Sequence, residues 1–541
     1  MSFEIKYYRD LMGRIGQIKT KSGNFQTPAL LPVVNPKNLI IPPSVLKTEF
    51  KCEAIITNAF IIKKNFYEQA KEEKLHKFLN FPGSIMTDSG AYQLLVYGEV
   101  DVSPEEIVKI QEEIDTDIAI IFDIPSSLNA AFQDVENGVK QTIRNAETSL
   151  KQKTRDDILW IGPVQGGTYL DLVKQCATEV GKLNFDMHAI GSVTQLMETY
   201  QFEKLVDLIM AAKQNLPPQR PVHLFGAGHP MMFSLIVAMG IDTFDSAAYA
   251  LYAKNDRYLT PTGTMRLEEL KYNICLCPVC RENPPQELLN KPQTERETLL
   301  AKHNLYVSLM EIQTIRQALL EERLWELLEI RARSHPSLLE ALRRLGEYSE
   351  ILELYTPTTK PHAFFYGGPE TLKRPEVTRH LKKLETLPQP EETDILLILL
   401  EPKTKPFHKS REHTETLKII KSFPENQQKR FQIMTKSTIF GLIPLELEEV
   451  YPLSQHINLK PDPTTIKHTS QAITRYITTH NYHKIIIQLT LEEEKNFEHI
   501  RKICNEKNID LHTIYIEEAS SLKYNSESLE EVLRKVTLCE E

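Results

Sequence analysis

Two groups of side chains in this chain have the types and spacing that chemistry needs. Cys275, Cys277, Cys280 and His303 form C-x-C-x2-C-x22-H, three soft thiolates and one imidazole, the tetrahedral set that Zn2+ prefers. Four protein ligands leave no place for a metal-bound water, so one structural zinc bracing this segment is expected, not a catalytic one. A redox pair of Cys277 and Cys280 is the competing reading, but a third cysteine in close register is superfluous for dithiol exchange.

The second group is acidic. Asp88 in TDSGAYQ and Asp245 in FDSAAY are each followed by Ser and small residues, which lets a ligand approach a carboxylate closely. Displacement at an anomeric carbon needs one carboxylate to attack and hold the sugar covalently, and a second group to protonate the departing base. Two aspartates facing one pocket meet both needs, and their repulsion raises one pKa so that a proton is available.

Such residues must be brought together by a scaffold, and the first half of the chain repeats one unit suited to it. The apolar runs ALLPVVN, AIITNAF, SIMTDSG, IAIIFDI, LWIGPVQ, MHAIGSV, PVHLFGA and DTFDSAA alternate with stretches of helical spacing. Parallel strands need long crossovers and eight can close without an edge, so the pattern predicts a (β/α)8 (TIM) barrel. The strand ends carry Asn58, Asp88, Asp123, Gln165, Gly191 with Ser192, Gly226 and Asp245, on the rim where barrel enzymes build their sites. A lone Asp at a strand end usually caps the next helix; convergence of three carboxylates and an amide weighs against that here.

After the cysteine cluster, residues 295–346 are strongly helix-forming and close the first domain, placed at 1–350. Pro and Gly in YTPTTKP, GGP and LETLPQPEET mark 351–390 as a connector, and a new α/β alternation (DILLILL, FQIMTKS, KIIIQLT, LHTIYIEE) makes 391–541 a smaller α/β domain. With 541 residues, 41% hydrophobic and 25% charged, disorder and fibres are excluded. The net charge of -9 means that any nucleic acid must be gripped by local basic patches. No apolar stretch approaches the roughly 20 residues that span a bilayer, and no membrane partner is expected. The other four of the seven cysteines are scattered, which fits a reducing compartment, and the chain reads as cytoplasmic.

The motifs DSGAYQ, IFDIP, GPVQGG, HAIGSV, PVHLFGAGHP, FDSAAYALYAKNDRYLTPTG and CLCPVC occur in an order that resembles the archaeal tRNA-guanine transglycosylases, over residues 1–350. The resemblance implies a pentosyltransferase acting on tRNA in archaeosine biosynthesis. It would exchange the D-loop guanine at position fifteen for 7-cyano-7-deazaguanine (preQ0), without ATP, through an aspartyl-ribosyl intermediate. Carried over by position, it makes Asp245 the nucleophile and Asp88 the general acid and base. Asp123 would bind the ring N–H and exocyclic amine that guanine and preQ0 share; Gln165, Gly191, Ser192 and Val193 would meet the carbonyl and 7-substituent; Tyr92 would stack on the ring, and Ser89 would also bind the substrate. Homodimers are usual in the family. Members commonly end in an RNA-gripping PUA module, whereas this sequence finishes with SESLEEVLRKVTLCEE, so a separate PUA-type protein or the second domain is expected to hold the tRNA.

LEPKTKPFHKSREH and IFGLIPLELEEVYPLSQ resemble the core domain of archaeosine synthase. That family places Cys and Ser after the Pro; here Lys403 and Thr404 follow Pro402, although Lys405, Pro406, Ser410 and His413 fit. A binding or scaffolding role follows for this domain. The rival overall reading, a non-catalytic tRNA-binding subunit or an archaeosine synthase, is disfavoured by the presence of both Asp88 and Asp245.

Overall fold

The computed structural model describes residues 2–91, 102–491, 493–516 and 526–538. It divides into two compact units, Met1–Leu345 and Gly346–Glu541.

The first unit opens with an antiparallel sheet that the sequence reading did not anticipate: β1 (Phe3–Asp10), β2 (Gly13–Thr20) and β3 (Gly23–Thr27). Eight parallel strands follow: β4 (Ala29–Pro32), β5 (Ala54–Asn58), β6 (Ser84–Asp88), β7 (Ile118–Ile120), β8 (Leu159–Val164), β9 (Met187–Ile190), β10 (Val222–Leu224) and β11 (Thr243–Ser246). Each forms from one of the eight apolar runs. Their order is β4-β11-β10-β9-β8-β7-β6-β5, and the ends meet where Val33 bridges Ile56 and the Val34 N–H donates to the Ile56 carbonyl at 2.8 Å. The sheet is therefore the expected (β/α)8 barrel.

Phe3, Ile18 and Phe25 of the opening sheet share a core with inward residues of the barrel such as Leu31, Ile56, Met86 and Ile161. Arg14 ties β2 to the start of β11, donating to both oxygens of Asp242 at 2.7 and 2.8 Å. Thr20 lies 2.8 Å from Ser84 at the start of β6. The sheet thus plugs the amino-terminal end of the barrel, and a ligand must enter from the carboxyl end.

Beyond β11 come the helix Ala248–Lys254, the hairpin β12 (Arg257–Thr260) and β13 (Gly263–Arg266), and the helices Gln293–Leu320, Leu324–Ala332 and Pro336–Gly346. The three helices occupy the stretch read as helix-forming.

In the second unit, β14 (Phe364–Tyr366) and the helix Pro375–Thr386 lie in the segment expected to be a connector. Phe364, Tyr366, Val377 and Leu384 are buried in that unit's cores, so most of 351–390 is packed structure. Next come β15 (Ile395–Leu400), β16 (Phe431–Ser437), β17 (Gly441–Pro444), β18 (His456–Asn458), β19 (Lys484–Leu489) and β20 (Asp510–Tyr515). The main sheet runs β17-β16-β15-β19-β20, with β17 alone antiparallel, and β14 pairs with β18. Alternate residues of β15 enter opposite cores, Leu396 and Ile398 on one face, Ile395, Leu397 and Leu399 on the other. Helices cover both faces, which is why this strand reads as unbroken apolar sequence. Among the described residues, no helix is long and apolar enough to cross a membrane.

Candidate active site and metal centre

The carboxyl ends of the barrel strands surround a cavity of about 490 Å3 whose lining includes Asp88, Asp123, Gln165, Gly191, Ser192 and Asp245. That volume falls in the range of small-molecule sites.

Asp245 is held from one side. Its Oδ1 accepts the Gly226 N–H at 2.9 Å and lies 3.1 Å from His223 Nε2, while His223 Nδ1 lies 3.0 Å from Thr243 Oγ1. Both contacts fall on Oδ1; Oδ2 has no protein partner among the described residues. Asp88 is set differently. Its Oδ2 accepts from Asn58 Nδ2 at 2.8 Å, and Asn58 is fixed by accepting the Ile61 N–H at 2.9 Å. Burial, reinforced by the charges of Asp123 and Asp245, pushes the Asp88 carboxyl up to about 7, against the opposing hydrogen bonds from the Gly90 N–H and Asn58. One carboxyl can therefore carry a proton near neutrality beside another with an open oxygen.

Deeper polar groups form a chain. Gln165 Nε2 donates to Asp123 Oδ2, Ser192 Oγ donates to Gln165 Oε1 at 2.6 Å, and the Ser126 N–H donates to Ser192 Oγ at 2.9 Å. Burial pushes Asp123 up to about 6 despite the bond from Gln165. A Cβ on Gly191 would stand 2.2 Å from Gln165 Nε2, so only glycine lets the amide lie there. Ser192 follows with φ 56°, turning the chain away from β9.

Of the remaining expected site residues, Ser89 and Val193 are buried beside Asp88 and Ser192 and do not appear in the cavity lining. Tyr92 lies outside the described residues. Sequence reasoning missed His223, whose signal was a lone imidazole within the β10 run. It also missed Ser126, three residues beyond Asp123.

At the metal centre, the ligand atoms of Cys275, Cys277, Cys280 and His303 all lie within 4.8 Å of one another. His303 Nε2 lies 3.0 Å from the Leu259 carbonyl and must carry the proton, which turns the Nδ1 lone pair toward Cys277 and Cys280 at 3.6 and 3.3 Å. Tyr258 stacks on the imidazole at 3.6 Å between centroids, and its hydroxyl lies 3.2 Å from Cys280 Sγ. Donor types, tautomer and supporting contacts fit a metal closed off by protein.

In the second unit, Lys405 pairs with Glu401 at 3.2 Å and donates to the His456 carbonyl at 2.6 Å. Ser410 caps the helix Arg411–Lys421, accepting the His413 N–H at 3.1 Å.

A barrel with Asp88 and Asp245 lining one cavity at its carboxyl end, and a Cys3His cluster that could hold a metal, fits a group-transfer enzyme of the glycosyl-exchange class. The queuine tRNA-ribosyltransferase family model matches residues 10–337, and the chain belongs to that family. A second model, a domain of unknown function (DUF5591), matches residues 377–535. The chain is 44% identical over 465 residues to a tRNA-guanine(15) transglycosylase of Methanococcus aeolicus, covering 85% of this chain and 69% of that protein. It is 44% identical to the protein of that name from Methanocaldococcus jannaschii, covering 84% and 68%. With that of Pyrococcus furiosus the identity is 49% over 389 residues, 71% and 65%.

Proposed function

We propose that this chain is a tRNA-guanine transglycosylase that removes the guanine at tRNA position 15 and installs preQ0 in archaeosine biosynthesis. The observation that carries the chemistry is the unequal environment of the two aspartates: Asp245 with one oxygen pinned and one open, Asp88 with its pKa near 7.

Asp245 Oδ2 attacks C1′ of the ribose and the C1′–N9 bond breaks, its electron pair leaving with guanine, which takes the Asp88 proton. Guanine departs and preQ0 enters. Asp88, now ionised, removes the N9 proton of preQ0; N9 attacks C1′ and the bond to Asp245 breaks. The intermediate keeps the ribosyl carbon activated, so no ATP is consumed. A pKa near the working pH suits a group that must both give and take a proton. Asp123 accepts the ring N–H and amine common to both bases, and Gln165 with the Gly191–Ser192 backbone meets the carbonyl and 7-substituent.

Zn2+ suits the soft donor set of Cys275, Cys277, Cys280 and His303, where it would brace the hairpin and helix behind the site. Tyr272 and Leu276 beside it are 81% and 79% exposed, an apolar surface that supports a homodimer. The second unit serves in binding or scaffolding, a role supported by the structural employment of Lys405 and Ser410. It or a separate PUA-type protein grips the tRNA, and the reaction is cytoplasmic, as its substrate requires.

The test is exchange of labelled guanine into unmodified archaeal tRNA, with trapping of the protein–RNA adduct in wild type, Asp245→Ala and Asp88→Ala. Incorporation by wild type and loss of the adduct in Asp245→Ala are expected. An adduct that persists in Asp245→Ala and vanishes in Asp88→Ala would reverse the two roles.

A further inference from the structure

The cavity lining runs outward past the carboxylates to Tyr200 and Tyr252. Tyr200 follows the helix Thr194–Glu198 with φ 58°, a left-handed conformation that glycine or asparagine usually fills at a helix end. The residue is 46% exposed, yet its ring is braced. His335 stacks against it at 4.7 Å with planes 17° apart, and buried Phe202 meets it edge-on at 5.8 Å. Tyr252 has His229 edge-on at 6.1 Å and the exposed Arg257 guanidinium 5.7 Å from its ring centre. A residue kept in a rare backbone conformation, with its ring supported on one side and presented at a cavity mouth, points to a ligand that needs a flat surface there.

We propose that Tyr200 and Tyr252 form a stacking ledge for a nucleobase adjoining the exchanged one, with Arg257 beside it to meet the intervening phosphate. The inference rests on the transglycosylase reading, because a polymeric substrate is what brings a second base to the mouth. A base pulled out of a folded RNA leaves its neighbours unstacked, and an aromatic surface replaces what they lose. Such stacking tolerates any base, since each has a π face, so the ledge adds affinity for RNA without adding sequence selection.

Exchange kinetics of wild type, Tyr200→Phe, Tyr200→Leu and Tyr200→Gly test it, the last relieving the backbone while removing the ring. The Leu and Gly variants should raise KM for tRNA about 5- to 100-fold, the Phe variant by no more than about twofold, with KM for guanine unchanged throughout. A purely structural ring would instead disturb guanine and tRNA alike. Fluorescence of Tyr200→Trp, measured against wild type during tRNA titration, reads a stacked base without any chemistry: quenching is expected. Wild-type KM for tRNA in both the Leu and Gly variants, or unquenched emission on saturation, overturns the ledge. A wild type that incorporates no guanine while Tyr200→Trp is quenched by tRNA overturns the transglycosylase reading and leaves the ledge standing.

Discussion

His223 Nε2 lies 3.1 Å from Asp245 Oδ1, the same oxygen that accepts the Gly226 N–H. As an attacking carboxylate Asp245 can only accept, so His223 Nε2 donates to it, while His223 Nδ1 is anchored 3.0 Å from Thr243 Oγ1. The result is a carboxylate that cannot rotate freely and leaves Oδ2 open for the attack proposed above.

His223→Leu should therefore slow adduct formation by about 10- to 100-fold while leaving KM for guanine near wild type, because what is lost is orientation of the nucleophile. His223→Gln, which keeps a donor, should recover part of the rate. Single-turnover trapping of the adduct is the measurement, and equal rates in Leu and wild type would remove His223 from the mechanism.

Asp88 makes the pH dependence specific. The first half-reaction needs it protonated, so kcat/KM for tRNA should fall as pH rises through about 7, and Asp88→Asn should lose about 100-fold or more in kcat. Stability carries the same signature. The fold favours the neutral carboxyl, so its contribution is complete below the ordinary value of 3.8 and is lost as pH rises through about 7. Above about pH 8, Asp88→Asn should be more stable than wild type by about 2 kcal/mol, an advantage that disappears in acid. Thermal melts across pH check this, and a constant difference between the two proteins would contradict it.

The polar residues Asp88, Asp123, Gln165 and Asp245 were readable because each ends an apolar run, and parallel strands buried on both faces announce themselves as such runs. His223 was not, since an imidazole inside VHLFGA reads equally well as a satisfied core residue until Asp245 is seen beside it. The opening sheet was hidden for another reason: its partners, as with Arg14 and Asp242, lie at the far end of the barrel sequence. Pro and Gly in 351–390 mark turns truthfully, but the short strand among them is stabilised by β18, a pairing that local pattern cannot reveal.

Gly191 offers a test of the base pocket. Its added Cβ would meet Gln165 Nε2 at 2.2 Å, and Gln165 is held at both ends by Asp123 and Ser192. Gly191→Ala should push the amide out of register and raise KM for guanine about 10- to 100-fold, the cost of an unpaired buried polar group. Because both changes act on one side chain, Gly191→Ala combined with Gln165→Ala should be no worse than Gln165→Ala alone. Wild-type guanine affinity in Gly191→Ala would show that Gln165 does not bind the base.

The Cys3His centre predicts separable effects on fold and chemistry. Its three cysteines lie in the segment after β13, its histidine on the helix Gln293–Leu320, and His303 also bonds the Leu259 carbonyl of β12. Removing the metal leaves three thiols crowded around one imidazole with nothing to hold them. Chelation, or Cys280→Ser, should open the stretch between β12 and that helix to protease and lower stability by about 4 kcal/mol or more. Exchange activity should decline only as fast as the fold loosens, since no ligand position is left for a reacting water. Metal analysis together with limited proteolysis and activity on one sample decides it: abrupt loss of exchange from a stripped protein with unchanged protease resistance would place the metal in the reaction itself.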